Sequence, residues 1–428
     1  MSKENYMTNI LELKDKNITF YDNFYHKEKI KGFIHKVFEG YLSYKPEYCP
    51  KCGVIFDDNF EKHGFITSNI RIPNVAGYKA ILRLHKQRYL CKYCNKAFTL
   101  KSNVVDYGCC ISKATKWHIA NDLRKKRSEK DIAFDNNVSP NTVERIIDSY
   151  YDPIKIHKNY LPKILSFDEF KSVKSADGAM SFHMCNGETG QTIDIVEDRR
   201  LNSLVKYFFK YSLKARQSVK LIVIDMYSPY VSLIKKMFPN AGIIIDKFHI
   251  INLISNALNN TRIQVMKKDK INYKKMKRYW RLILKDETEL NCSKWEKFVC
   301  FKDLLTQKDL VNYIVSQNDE LKNTYIIYQE LLYAFKNNNK SLFNKIIDTD
   351  HTNISSYMKT SIKTLKEFRY DIYNTFDNHY HNGFIEGNNN FIKVIKRIAF
   401  GFRSFRRFKA RIMICKGLIK PNKKMANT

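Results

Sequence analysis

The chain has 428 residues, 44% of them hydrophobic and 14% aromatic, a composition that excludes intrinsic disorder and fills roughly two to four packed domains. No apolar run approaches the roughly 18 to 20 residues that cross a bilayer, and the opening MSKENYMTNILELKDKN has no signal-peptide core, so the sequence reads as cytoplasmic, nucleoid-associated and without membrane contact. Lys and Arg total 75 against 43 acids, a net charge of +32, which points to a polyanionic partner such as DNA or RNA; a general RNA-binding protein or a lysine-rich genome would leave the same imprint.

Residues 1–44 read as an N-terminal extension. Residues 45–108 carry CPKC at 49–52 and CKYC at 91–94, 38 residues apart. Each CxxC aims two thiolates at one point, and two such pairs complete a tetrahedral site. Cys49, Cys52, Cys91 and Cys94 are therefore expected to hold one structural Zn²⁺ in a zinc ribbon, with a redox pair or unrelated thiols as the alternative. The long segment between the pairs has room for a hairpin of its own. The other six cysteines lack ligand spacing, and a cytosolic chain does not suggest a disulfide framework.

Residues 109–152 read as a helix-turn-helix. A basic helix, SKATKWHIANDLRKK, is followed by SEKDIAFDNN with Ser128 as N-cap and Asp131 three residues on. The last helix, PNTVERIIDSYY, starts with Pro140 behind Ser139 as cap. It would present Asn141, Thr142 and Arg145 to a major groove. A small structural helical hairpin is the plainer reading.

Pro153 and Pro162 bracket a linker, after which the pattern becomes strand-like. KILSFDEF, AMSFHMCN and QTIDIVED are separated by turn residues. A helix, the continuous apolar run VKLIVIDM, another helix and AGIIIDKFH follow, the run reading as a strand buried on both faces. Three hairpin-connected strands and then βαβ is the order of a ribonuclease-H-like core, whose first part is placed at 160–255. Residues 256–375 read as an all-helical insertion. Within it, 267–285 hold nine Lys and Arg with Tyr273, Tyr279 and Trp280 interleaved, either a phosphate-tracking face or a solvated one. Residues 376–415 supply the final helix of the core with a basic segment, and 416–428 form a basic tail. The fold class is thus multidomain α+β.

Asp168 sits at the first core strand and Asp225 ends the buried run. Neighbouring strands would set these carboxylates side by side, an expensive arrangement without a cation. Glu386 is the last acid in the chain, with eight Lys and Arg in residues 382–411 but none three or four positions away from it. Either a tertiary ion pair or a metal ion explains its retention. On the helix that follows, Phe391, Ile392, Ile395 and Ile398 form an apolar stripe expected to dock on the sheet. Glu386, Asn390, Lys393 and Arg397 fall on another face, suited to a metal ion beside a phosphate backbone. Lys396, Arg403, Arg406 and Arg407 extend the DNA-binding set. Three hard-oxygen ligands can hold two Mg²⁺ or Mn²⁺ ions roughly 4 Å apart.

At this point the sequence resembles the bacterial insertion-sequence transposases of the ISL-three type. The resemblance rests on CPKCG, RYLCKYCNKAF, SFDEF, IDMYSPY, FPNAGIIIDKFHI and HNGFIEGNNNFIKVIKRIAFGFRSFRRFKARI in that order, and covers about 45 to 415. It implies that Asp168, Asp225 and Glu386 are an Asp-Asp-Glu catalytic triad, and that Asp246 and His249 form an auxiliary Asp-x-x-His element. Glu169 is a supporting residue, since strand alternation points it away from Asp168. The function implied is a DNA transposase. It would bind the inverted-repeat ends of its element, cleave and transfer strands, and act as a homodimer or higher assembly when two ends are brought together. A non-catalytic DNA-binding regulator and an RNA-processing nuclease of the same fold are the rivals.

Overall fold

The computed structural model describes residues 3–56, 58, 60–151 and 157–421. Pro153, the first bracket of the expected linker, and most of the basic tail lie outside the described residues. The described chain divides into two compact units. One comprises residues up to 151 with 173–175 and 391–421; the other comprises 157–172 and 176–390.

In the first unit, strands β1 (Ile18–Ile30), β2 (Phe33–Leu42), β3 (Phe60–Val75), β4 (Tyr78–Cys91) and β5 (Lys96–Thr99) form one sheet in the order β1-β2-β4-β3, with β5 also on β4. Both long hairpins close through two residues at positive φ, Lys31-Gly32 and Ala76-Gly77. That geometry matches the right-handed twist of the flanking strands. The hairpin expected between the cysteine pairs is β3–β4. Residues 1–44, read as a separate extension, instead supply two of the five strands, and their Leu11, Leu13, Ile18 and Leu42 share a core with Ile70, Leu82 and Leu84. Alternating apolar positions on β2 and β4 need a covering partner, and the preceding chain provides it.

Three helices follow, Lys113–Asp122, Glu129–Asp135 and Pro140–Tyr150. Ser112 and Ser128 cap the first two, their hydroxyls accepting the Thr115 and Asp131 N–H at 3.0 Å each. Ser139 precedes the third without a cap bond to the backbone; its hydroxyl meets that of Thr142 at 3.0 Å instead. Ile119, Leu123, Ile132, Val143 and Ile146 form their core, joined by Ile414 of the last helix, Phe405–Cys415. From that helix the buried Arg411 donates to the carbonyls of Arg127 at 2.7 Å and Lys125 at 3.1 Å. The basic segment expected to close the core therefore belongs to the unit that holds the three helices.

The second unit is built on strands β6 (Ile164–Lys171), β7 (Met180–Asn186), β8 (Thr192–Val196), β9 (Leu221–Ile224) and β10 (Gly242–Ile245), in the order β10-β9-β6-β7-β8. β6, β7 and β8 are an antiparallel meander, while β9 lies parallel to β6 and β10 parallel to β9. This is the mixed sheet of a ribonuclease-H-like core. β9 and β10 read LIVI and GIII because both of their faces are buried. The outer edge of β10 is closed by the helix Arg369–Asp377. Thr375 accepts the Ile245 N–H and donates to the Ile245 carbonyl, and Asn374 donates to that of Ile243 at 2.8 Å. The long helix Lys247–Lys268 opens a helical region that includes Gln307–Val315, Asp319–Lys336, Lys340–Asp348 and Ser356–Glu367. Expected to be all helical, the region also holds a two-stranded ribbon, Glu296–Lys297 with Leu304–Leu305. No helix among the described residues is long and apolar enough to cross a membrane.

Candidate active site and cysteine cluster

Cys49 and Cys52 lie on a tight turn. The Gly53 N–H reaches the Cys49 carbonyl at 2.8 Å, and the Lys51 N–H points at the Cys49 sulfur at 3.4 Å. Gly53 adopts φ +80°, which only glycine adopts without strain. Cys91 ends β4 and Cys94 sits in the turn to β5. Cys49–Cys94 and Cys52–Cys91 sulfurs are 3.8 Å apart, and all four lie within 4.8 Å of one another. A tetrahedron with zinc–sulfur bonds of 2.3 Å has edges of about 3.8 Å, so the cluster has the dimensions of a four-thiolate zinc site. Burial pushes the Cys49 thiol up, but hydrogen bonds from Lys51 and Cys52 outweigh it and bring it to about 7.

In the second unit, β6 and β9 pair as far as Ser166↔Val223. Asp168 and Asp225 each lie two residues beyond that pair, which sets them level: Asp168 within β6 where that strand continues, paired only with β7, and Asp225 just past the carboxyl end of β9. Asp246 follows β10 in the same way, with its side chain only 3% exposed. His249 stands one turn into the helix that Asp246 opens. Its Nε2 lies 3.0 Å from Asp225 Oδ1, 3.7 Å from Glu386 Oε1 and 3.9 Å from Asp246 Oδ2. Glu386 comes from the first turn of the helix Gly383–Ile398. Asp225, Asp246 and His249 offer ligand atoms within 4.8 Å of one another.

The electrostatics of this cluster are those of crowded anions. Burial, and after it the Asp225 charge, push the Asp168 carboxyl up to about 7 against a hydrogen bond from the Glu169 N–H. Burial also pushes Asp225 up to about 7, aided by the charges of Asp246, Glu169 and Glu386 and opposed by a hydrogen bond from Asn382. Two carboxyls that are reluctant to ionise together gain from a cation between them, and hard oxygen donors suit a hard divalent ion. Glu169 has other neighbours: it pairs with Arg199 and accepts the Tyr230 hydroxyl at 2.9 Å.

The helix bearing Glu386 departs from its expected stripe. Its buried positions are Ile385, Asn389, Ile392 and Ile395, whereas Phe391 is half-buried with the Lys126 and Lys416 ammonium groups over its ring. Asn389, not Asn390, meets the carboxylates. Its amide donates to Asp168 Oδ2 at 2.6 Å and to the Glu169 carbonyl at 3.3 Å, while its carbonyl oxygen lies 2.8 Å from His183 Nδ1. Asn382 donates to Asp225 Oδ1 at 3.3 Å. Sequence reasoning passed over Asn382, Asn389 and His183. The signal was present: three consecutive asparagines, poor helix formers, inside an amphipathic helix, and one histidine inside an apolar strand.

Of the residues expected to touch DNA, Asn141 and Arg145 are exposed and Thr142 half-buried on the third of the three helices. Asn390, Lys393, Arg397 and Arg403 are exposed, and Lys396 is half-buried. Arg406 pairs with Asp148 at 2.5 Å, and Arg407 with Glu144 and Asp148, so both hold the final helix against the helix Pro140–Tyr150.

Comparison with known proteins gives three matches. Over 113 residues the chain is 38% identical to a Lactococcus lactis subsp. lactis protein described as an ATP-dependent protease. That stretch is 26% of this chain and 36% of the other, so the chain spans about a third of the length of the curated relative it matches. Residues 45–94 match the zinc finger of the transposases IS204, IS1001, IS1096 and IS1165, in agreement with the thiol cluster. Residues 165–412, which take in more than half of the sequence and every carboxylate of the cluster, match the ISL3 transposase model, and the chain belongs to the ISL3 family of transposases.

Proposed function

We propose that this protein is a DNA transposase that binds the inverted-repeat ends of its own element and cleaves and joins DNA strands with Asp168, Asp225 and Glu386. The observation that carries the reading is that Asp168 and Asp225 stand level on adjacent parallel strands, both pushed up to about 7, with Glu386 and Asp225 facing the same His249 ring nitrogen. Asp168, Asp225 and Glu386 would hold Mg²⁺ or Mn²⁺, and a pair of such ions supplies activation of the attacking oxygen and neutralisation of the leaving one. Asp246 and His249 would flank the ligands and Glu169 would buttress β6. Two displacements at phosphorus follow. A water oxygen attacks and the 3′ oxygen leaves as a hydroxyl; that hydroxyl then attacks a target phosphodiester. Both exchange one P–O bond for another.

Asn141, Thr142 and Arg145 would read the element ends in the major groove, with Asn390, Lys393, Lys396, Arg397, Arg403 and the exposed part of Arg406 on the backbone. Arg407 would support that surface through its ion pairs. As functional parts we assign residues 45–108 to the zinc ribbon, 109–152 to the helix-turn-helix, 160–255 and 376–390 to the core, and 256–375 to the insertion, while 391–415, expected in the core, group with the helix-turn-helix unit. Bringing two ends together requires at least a homodimer.

The test incubates purified protein with labelled DNA carrying its element ends in Mg²⁺, Mn²⁺ or EDTA. Metal-dependent nicking at the element boundary, lost in Asp225→Asn and Glu386→Gln while binding persists, is expected. Specific binding without cleavage under any metal would leave a DNA-binding regulator and overturn the enzyme.

A further inference from the structure

Asn382, immediately before the helix Gly383–Ile398, and Glu386 and Asn389 within it follow one another at i, i+4 and i+7, the Asn382 carbonyl accepting the Glu386 N–H at 3.0 Å. Both amides are almost fully buried, at 1% and 5% exposure, and each donates to one of the two aspartates. The Glu169 carbonyl, 3.3 Å away, can only accept, so the amide nitrogen of Asn389 faces β6 and Asp168 and its carbonyl oxygen faces His183. That fixes the tautomer of a fully buried histidine: Nδ1 carries the proton and donates to Asn389 at 2.8 Å. Nε2 is then the acceptor, and it faces the Thr192 hydroxyl at 3.0 Å and the Cys185 thiol at 3.3 Å, both able to donate. The chain of donors runs one way, from β8 through β7 and the helix to Asp168 on β6.

We infer that Asn389, oriented by His183, and Asn382 are positioning residues that hold Asp168 and Asp225 in the rotamers a divalent cation requires. This rests on the metal-holding reading of the carboxylate cluster and adds to it the reason the helix carries its asparagines. Asp168 takes one hydrogen bond on each oxygen, from the Glu169 N–H at 2.7 Å and from Asn389. About half of its lone-pair sites stay open toward an ion. Asn382 also donates to the Phe167 carbonyl at 3.4 Å, tying the helix start to β6, while its own carbonyl oxygen is buried without a hydrogen-bond partner. One helix therefore delivers the third carboxylate and orients the other two. Outer partners of this kind typically change metal affinity or activity 10- to 100-fold.

The test uses the full chain. Mn²⁺ affinity is measured by electron paramagnetic resonance, beside cleavage, DNA affinity and thermal melting, for Asn389→Leu, Asn389→Ala, Asn382→Ala, His183→Ala and His183→Asn. Asn389→Leu keeps the branched shape in a larger side chain and loses all three hydrogen bonds, and thermal melting reports which of the two Asn389 variants folds. We expect roughly 10- to 100-fold weaker Mn²⁺ binding for Asn389→Leu and His183→Ala, with DNA affinity unchanged. His183→Asn, whose amide nitrogen stands where Nδ1 stood, should stay within about 3-fold of wild type, a rescue that packing alone does not produce. Wild-type Mn²⁺ affinity in folded Asn389→Leu, or equal loss in His183→Asn and His183→Ala, overturns the inference and leaves the metal reading standing. A wild-type protein that binds no Mn²⁺ overturns both.

Discussion

The thiol cluster takes its ligands from two four-residue turns at one end of a small sheet, with sulfurs already spaced for zinc. The carboxylate cluster gathers Asp168 from within β6, Asp225 and Asp246 from just past β9 and β10, His249 from the helix that follows β10, and Glu386 from a helix near the other end of the chain. The first unit packs its sheet core around Cys49 and Cys91, where a bound zinc would add to the stability of the fold. The second unit has a large core of its own under the sheet and helices, so its site can afford mutual repulsion among anions. A structural site and the proposed catalytic one would thus differ in which direction the energy flows. In one the metal stabilises the fold, and in the other the fold stabilises an arrangement that favours the metal.

The comparison breaks most visibly if the zinc is removed. Cys49→Ser or Cys91→Ser, or a strong chelator, should abolish cooperative melting of the first unit, since zinc binding contributes about 10 kcal/mol or more in small four-ligand sites. Elemental analysis should find one zinc per wild-type chain and none in the variants. Asp225→Asn and Glu386→Gln should lower strand cleavage on the order of 10³-fold while the melting of the second unit stays within a few degrees.

The sign of the carboxylate effect follows from the lowered acidities. Asp168 and Asp225 are pushed up to about 7 in the folded chain, above their unfolded values. The folded state therefore holds more protons between about pH 4 and 7, and stability falls as pH rises through that window. In metal-free protein the loss should be on the order of 3 kcal/mol, and Asp225→Asn should remove part of it. Adding Mg²⁺ should raise the melting temperature more at pH 8 than at pH 5. A metal-free protein that becomes more stable over this range would contradict the account. The smallest effect concerns Gly190, at φ +70° in the β7–β8 turn, where a Cβ would come within 2.8 Å of the Phe384 ring. Gly190→Ala should cost about 1 to 2 kcal/mol in chemical denaturation.

The same contrast explains what the sequence revealed. The zinc ligands were readable because each pair is local, and the sheet order followed from three hairpin strands and two continuous apolar runs. The pairing of Asp168 with Asp225 depends on β6 and β9 being parallel neighbours, which the apolar run at 219–224 implied. The roles of Asn382, Asn389 and His183 were not legible, because a hydrogen bond between β7 and a helix two hundred residues on leaves no spacing pattern. Nor was the placement of the final helix, which rests on the buried Arg411 reaching the Lys125 and Arg127 carbonyls between the first two of the three helices, on Ile414 in their core, and on the ion pairs of Arg406 and Arg407. The contribution of residues 18–42 to the first sheet was hidden because a strand partner across a parallel pair carries no local turn.

The central claim is that the carboxylates form a divalent-metal site, and anomalous diffraction from crystals soaked in Mn²⁺ tests it most directly. The account predicts anomalous density bounded by Asp168, Asp225 and Glu386, and its loss in Asp225→Asn crystals. Density confined to the surface, or a peak there that persists in Asp225→Asn, would contradict it.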